Sequence, residues 1–123
     1  MLSNVGMDTE SHFALLLIGQ PTLRRRLKLA VMAALDQRIG TRYTIGGMGL
    51  EDTTSYVKGH LGYAGRSDPL FSEDAIAVIH QASRGYPRTV NNLALAALMP
   101  TRSTQNAIVD QSATQSAVSE FSE

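Results

Sequence analysis

With 123 residues, 43% of them hydrophobic and 18% charged, the chain has the make-up of an ordinary globular protein, long enough for one core or two small packed lobes. Eleven basic and eleven acidic side chains cancel to a formal net charge of zero, and there is no cysteine. Bulk charge therefore makes no case for nucleic acid, and disulfides, thiolate metal sites and a cysteine nucleophile are excluded. No apolar run, Phe13 to Ile18 included, approaches the roughly 20 residues that span a bilayer. Asp8 and Glu10 stand where a basic leader would lie, so the expectation is a cytoplasmic protein without membrane insertion. The charge is unevenly spread: residues 24 to 66 carry eight basic and three acidic side chains, whereas everything after Ser103 is acidic or neutral. A polyanion would meet the middle of the chain.

In chain order, Phe13 to Ile18 is a continuous apolar run closed by Gly19-Gln20-Pro21, the pattern of a strand buried on both faces in a parallel sheet. Gln20 would then sit at the carboxyl edge of that sheet, where ligands bind in open α/β folds; an ordinary buried strand followed by a proline turn fits the same residues. From Leu23, the positions Leu23, Leu27, Ala30, Val31, Ala34 and Leu35 share one stripe at helical spacing, predicting a helix of about four turns. Arg24, Arg25, Arg26 and Lys28 fall in its first turn, where the helix dipole does not favour cations. They form either a solvated face or a surface for an acidic partner such as DNA. Arg42 to Ile45 alternates polar and β-prone residues and predicts a second short strand, ended by Gly46-Gly47.

Beyond Met48 the pattern is helical. Leu50 to Leu61 opens on Glu51 and Asp52, which suit the dipole, and is softened by Gly59 and Gly62. Ser72 caps a helix that buries Ile76, Val78, Ile79 and Ala82 until Gly85 stops it. Pro87 opens the next, because the proline's missing N–H is unpaired at a first helical position anyway. That helix runs through Val90, Leu93, Ala94, Ala97 and Leu98 to about Met99, and Pro100 to Gln105 reads as a polar break. Ile108-Val109 and then Asp110 to Phe121 predict a final helix with Ala113, Ala117 and Phe121 inward.

The segment Gly85-Tyr86-Pro87-Arg88-Thr89-Val90-Asn91-Asn92 places an arginine one residue into a new helix. Such an arginine is aimed at an anion, or is a surface side chain after a Gly-Pro turn. A phosphate-cradling loop needs Gly-x-x-x-x-Gly-Lys-Ser/Thr, and a nucleotide's metal needs an acid at a strand end. Neither occurs in these residues. His12, His60 and His80 are too scattered for a metal site, no Gly-x-Ser-x-Gly elbow supports nucleophilic hydrolysis, and the five methionines read as core filler.

Three stretches follow in fixed order: Leu16-Leu17-Ile18-Gly19-Gln20-Pro21-Thr22-Leu23-Arg24, then Leu35-Asp36-Gln37-Arg38-Ile39, then Ser83-Arg84-Gly85-Tyr86-Pro87-Arg88-Thr89-Val90-Asn91-Asn92-Leu93-Ala94. Together they resemble the second half of an AAA+ ATPase, within it the general secretion pathway protein A-like branch, which includes ATPases that assist Mu-type transposases. The resemblance runs from about Leu2 to Val118. It implies a C-terminal piece, mainly α: residues 1-49 as the end of the α/β core, with two short parallel-type strands around one helix, and residues 50-123 as a helical lid of about four helices.

By the same resemblance Gln20 matches sensor 1, which helps orient the attacking water, and Arg88, after Pro87, matches the lid arginine of sensor 2, which reaches the γ-phosphate. Arg38 matches the arginine-finger region; Arg42 lies near enough to compete, and an ion pair of Arg38 with Asp36 is the structural alternative. ATP and Mg²⁺ are implied as cofactors of the complete ATPase. Its partners are a missing nucleotide-binding half and sister subunits, with transposase and DNA meeting Arg24, Arg25, Arg26 and Lys28. On this view the chain does not hydrolyse ATP alone. The alternative is a small helical DNA-binding or protein-interaction module without nucleotide chemistry. Without neighbouring strands, Phe13 to Ile18 is also an apolar edge that invites aggregation.

Overall fold

The computed structural model describes residues 13–103 and 106–122 and forms two compact units, Met1–Tyr43 and Thr44–Glu123. Asp8, Glu10 and His12 lie outside the described residues, as do positions 104 and 105 of the expected polar break. The fold is mainly α, as the pattern beyond Met48 requires.

In the first unit the expected strands are absent. Neither Phe13–Ile18 nor Arg42–Ile45 forms regular secondary structure, and among the described residues the β-structure is one isolated parallel bridge, Phe71 with Val109. A strand is made by the ladder it shares with a neighbour, and neither segment has one. Leu16 and Ile18 are consequently 79% and 83% exposed.

The four-turn helix is also broken. Helix α1 (Pro21–Leu27) begins earlier than the periodicity predicts, with Pro21 at the start and Gln20 extended at the N-cap. Leu29 turns extended (φ −69°, ψ 145°), a 3₁₀ turn covers Ala30–Met32, and α2 (Ala33–Arg38) completes the unit. Of the apolar stripe only Leu27 is buried, while Val31 is 87% exposed. A helix of this length is marginal unless its apolar face is covered, and here most of the stripe is not. The interruption moves Arg24, Arg25 and Arg26 into the last turn of α1, where the dipole favours cations instead of opposing them.

The second unit is built on α3 (Leu50–Tyr63), α4 (Glu73–Ser83), α5 (Pro87–Ser103) and α6 (Gln111–Phe121). Its core joins Val57 of α3, Ala75, Ile76 and Ile79 of α4, Val90, Leu93 and Ala97 of α5, and Ala117 of α6. Burial of each large side chain contributes about 1.5–3 kcal/mol. Helix α6 packs on both α4 and α5. Its approach is fixed by the bridge between Phe71 and Val109, in which the Ser72 N–H donates to the Val109 carbonyl (2.9 Å) and the Val109 N–H to the Leu70 carbonyl (2.6 Å). Ser72 caps α4 by accepting from the Ala75 N–H, and Asp110 caps α6 by accepting from the Ala113 N–H.

Three local expectations are corrected. Ala82 faces solvent, and so does Phe121, 51% exposed on the last turn of α6. The expected break at Pro100 is instead helix, for α5 continues to Ser103. Proline there removes one backbone donor and crowds the carbonyl four residues back. The disturbance falls near the helix end, and the buried Thr101 hydroxyl donates to the Ala97 carbonyl (3.0 Å), supporting the turn that the ring weakens. No helix among the described residues is long and apolar enough to cross a membrane.

Ile79 and Leu93 are fully buried, so Ile79→Ala or Leu93→Ala should destabilise the chain by about 2–5 kcal/mol, read as a fall in urea midpoint. Leu16→Lys with Ile18→Lys should change stability by less than about 0.5 kcal/mol while reducing light scattering at high concentration. Equal scattering by both forms would mean that this segment does not drive association.

Candidate functional site

The turn between α4 and α5 has two successive residues at positive φ. Helix α4 ends at Ser83, and Arg84 (φ 56°, ψ 22°) takes the left-handed conformation, followed by Gly85 at φ 77°. The Ser83 hydroxyl donates to the His80 carbonyl (3.2 Å) and accepts from the Gly85 N–H (3.1 Å). The Tyr86 N–H donates to the Ser83 carbonyl (3.2 Å), and the Tyr86 carbonyl accepts from the Val90 N–H (2.9 Å). Pro87, with φ set by its ring, opens α5, and Arg88 follows it.

A second backbone lies directly on this turn. The Met48 N–H donates to the Gly85 carbonyl (2.9 Å). A Cβ on Gly85 would collide with the backbone of Met48, and one on Gly47 would collide with the Arg84 carbonyl. Glycine is thus required at 47 for close approach, and at 85 for both approach and positive φ. Two side-chain bonds fasten α3 alongside: the buried Thr53 hydroxyl with His80 Nδ1 (2.9 Å), and Tyr56 donating from its hydroxyl to Asn91 Oδ1 (3.1 Å). Next to the second bond an open apolar groove of about 290 Å³ runs between α3 and α5, lined by His60, Leu61, Ala94 and Leu95 among others. Tyr56 and Tyr63 flank the His60 ring at 4.3 Å and 6.3 Å.

Arg88 is exposed, and α5 carries no acid in its first turn. Among the described residues it has neither ion pair nor hydrogen-bond partner. It stands beside the free N–H groups and positive dipole end of α5, so guanidinium and helix end together suit an anion. Pro87 and Arg88 belong to the second unit, whereas Gln20, Arg38 and Arg42 belong to the first. Gln20 is exposed and makes no side-chain cap to α1, and the strand whose end it would mark is not formed. Arg38 closes α2. The ion pair with Asp36 is made by Arg42, whose Nη2 reaches both the Asp36 carboxylate and its backbone carbonyl at 2.8 Å.

Arg24, Arg25 and Arg26 in α1 and Lys28 at its C-cap are exposed; at 100° per residue they spread over about 200° of the helix surface, Arg25 opposite Leu23 and the buried Leu27, Arg24 and Arg26 on the flanks. Described residues 13–43 hold six basic side chains and one acid, the Asp36 engaged by Arg42.

The chain is similar to General secretion pathway protein A of Aeromonas hydrophila. The two are 34% identical over 91 residues, which make up 74% of this chain and 17% of that protein. No protein-family model and no solved structure matches the chain. The similarity agrees with the general secretion pathway protein A-like character of the three motif stretches.

Neither the backbone contact of Gly47 with Arg84 nor the left-handed conformation of Arg84 is legible in the sequence. Gly46-Gly47 was visible as a strand terminator and Gly85 as a helix stop, but nothing local shows that the two lie against each other. A non-glycine residue in the left-handed region costs roughly 1–2 kcal/mol. Arg84→Gly should therefore stabilise the chain by roughly 0.5–1 kcal/mol net of the freedom that glycine adds to the unfolded state, measured as a rise in thermal midpoint; a fall would show that the arginine side chain contributes more than its backbone strain takes away.

Proposed function

We propose that this chain supplies the sensor and lid portion of an AAA+ ATPase of the general secretion pathway protein A type. The observation that carries the proposal is Arg88, a guanidinium without a partner among the described residues, held at the opening turn of a helix by a backbone that has almost no freedom. The similarity to General secretion pathway protein A supports it.

Arg88 acts as sensor 2, donating charge-assisted hydrogen bonds to γ-phosphate oxygens and spreading the charge that develops there. Pro87 sets the helix start from which it reaches. Gln20 acts as sensor 1 by orienting the attacking water, and Arg38 acts as the finger toward a sister subunit. Arg42, whose guanidinium makes two contacts with Asp36, lies near enough to compete for that role. ATP with Mg²⁺ supplies the phosphoanhydride to be split. It is bound together with a nucleotide-binding half, because these 123 residues contain no phosphate-cradling loop and the described ones no cluster of metal-ligating side chains. The setting is cytoplasmic, in secretion or in DNA transposition.

A second reading, a small DNA-binding or interaction module, is favoured by the cluster of four exposed bases at α1 and its C-cap, which suits the phosphate backbone of a duplex, or a transposase bound to it, without nucleotide chemistry.

The deciding experiment replaces the matching 91 residues of the Aeromonas protein with those of this chain and follows MgATP hydrolysis. In the hybrid, Arg88→Ala should lower turnover about tenfold or more, and the chain alone should show none. Undiminished turnover by the Arg88→Ala hybrid, or turnover by the chain alone, would overturn the proposal. In parallel, replacing Arg24, Arg25 and Arg26 by alanine should reduce the slope of log affinity for duplex DNA against log salt by about 2–3 if the second reading holds; an unchanged slope removes it.

A further inference from the structure

The two compact units meet in sequence after Tyr43, and the next three residues are unlike the two after them. Thr44, Ile45 and Gly46 make no hydrogen bond among the described residues. Ile45 is almost fully exposed, and a Cβ on Gly46 would meet open space. At Gly47 the situation reverses. Its backbone abuts the Arg84 carbonyl, Met48 lies against Gly85, and the Met48 N–H is bonded to the Gly85 carbonyl. From Gly85 onward every step to α5 is fixed: a glycine in a single left-handed well, the Tyr86 bond to Ser83, and the locked φ of Pro87.

We propose that Gly47 and Met48 form a clasp on the α4–α5 turn, so that any displacement of Gly47 is carried to Arg88. Two backbones in hydrogen-bonded contact with no side chain between them cannot slide without breaking the bond or separating, whereas residues without such a bond move independently of the turn. The clasp is a property of the fold. Only what Arg88 does with the displacement rests on the function proposed above.

The test is residue-resolved amide exchange and NMR on the full chain. In the unaltered protein the Met48 amide should exchange at least about tenfold more slowly than those of Thr44, Ile45 and Gly46, the protection expected of one hydrogen bond. Gly47→Ala should remove that protection and shift the amide signals of Tyr86 and Arg88, while Ile79 and Leu93 stay protected. Gly46→Ala should leave Met48, Tyr86 and Arg88 unchanged. The clasp is refuted if Met48 exchanges as fast as Ile45 in the unaltered chain, if Gly47→Ala leaves Met48 and Arg88 unchanged, or if Gly46→Ala shifts Arg88 as strongly. Should Gly47→Ala fail to fold, the exchange of Met48 in the unaltered chain decides. None of these readouts involves nucleotide, so an inactive hybrid with an intact clasp counts against the ATPase proposal alone, and a lost clasp with an active hybrid against this inference alone.

Discussion

Burial of the Val90, Leu93 and Ala97 stripe of α5 is the contact on which the second unit depends. Helix α5 packs against α4 and against α6, and its stripe joins Ile76, Ile79 and Ala117 in one core. A helix of this length does not hold in water by propensity alone. Covering the stripe stabilises α5, and with it the geometry of its first turn. The polar groups drawn inside are satisfied locally: Thr101 and Thr114 donate to carbonyls of their own turns, Thr53 pairs with His80 and Ser83 with its own turn. Packing therefore proceeds without the penalty of unpaired buried donors.

The first unit shows what happens when the same kind of pattern lacks a surface. Its apolar run at Phe13–Ile18 and its stripe from Leu23 to Leu35 are as regular in sequence as those of the second unit. Most of those side chains remain exposed, no ladder forms among the described residues, and the helix breaks at Leu29. Hydrophobic periodicity states which face would be buried. It does not provide the element that buries it.

The candidate site follows from the same distinction. Arg88 after Pro87 was legible because a proline at the first helical position and an arginine beside it have local consequences: a fixed φ, free N–H groups and a positive dipole end. Ser72 and Asp110 were legible as a cap and a helix start for the same local reason. Arg42 as the partner of Asp36 was not, since the choice between Arg38 and Arg42 turns on how the chain folds back after α2. The left-handed Arg84 was hidden too, because sequence preference assigns that conformation to glycine and the Gly47 backbone that abuts its carbonyl comes from a distant part of the chain.

By itself, then, the sequence determined the helices of the second unit, the caps Ser72 and Asp110, the position of Arg88 and the lack of a phosphate-cradling loop, all features written within one or two turns of chain. Only the tertiary structure decided that the two predicted strands do not form among the described residues, that α5 passes through Pro100, that Arg42 binds Asp36, and that Gly47 and Gly85 are needed where the backbones of Arg84 and Met48 approach them. Each of these depends on atoms brought together from distant parts of the chain, where hydrogen-bond partners and excluded volume, invisible to local pattern, set the outcome.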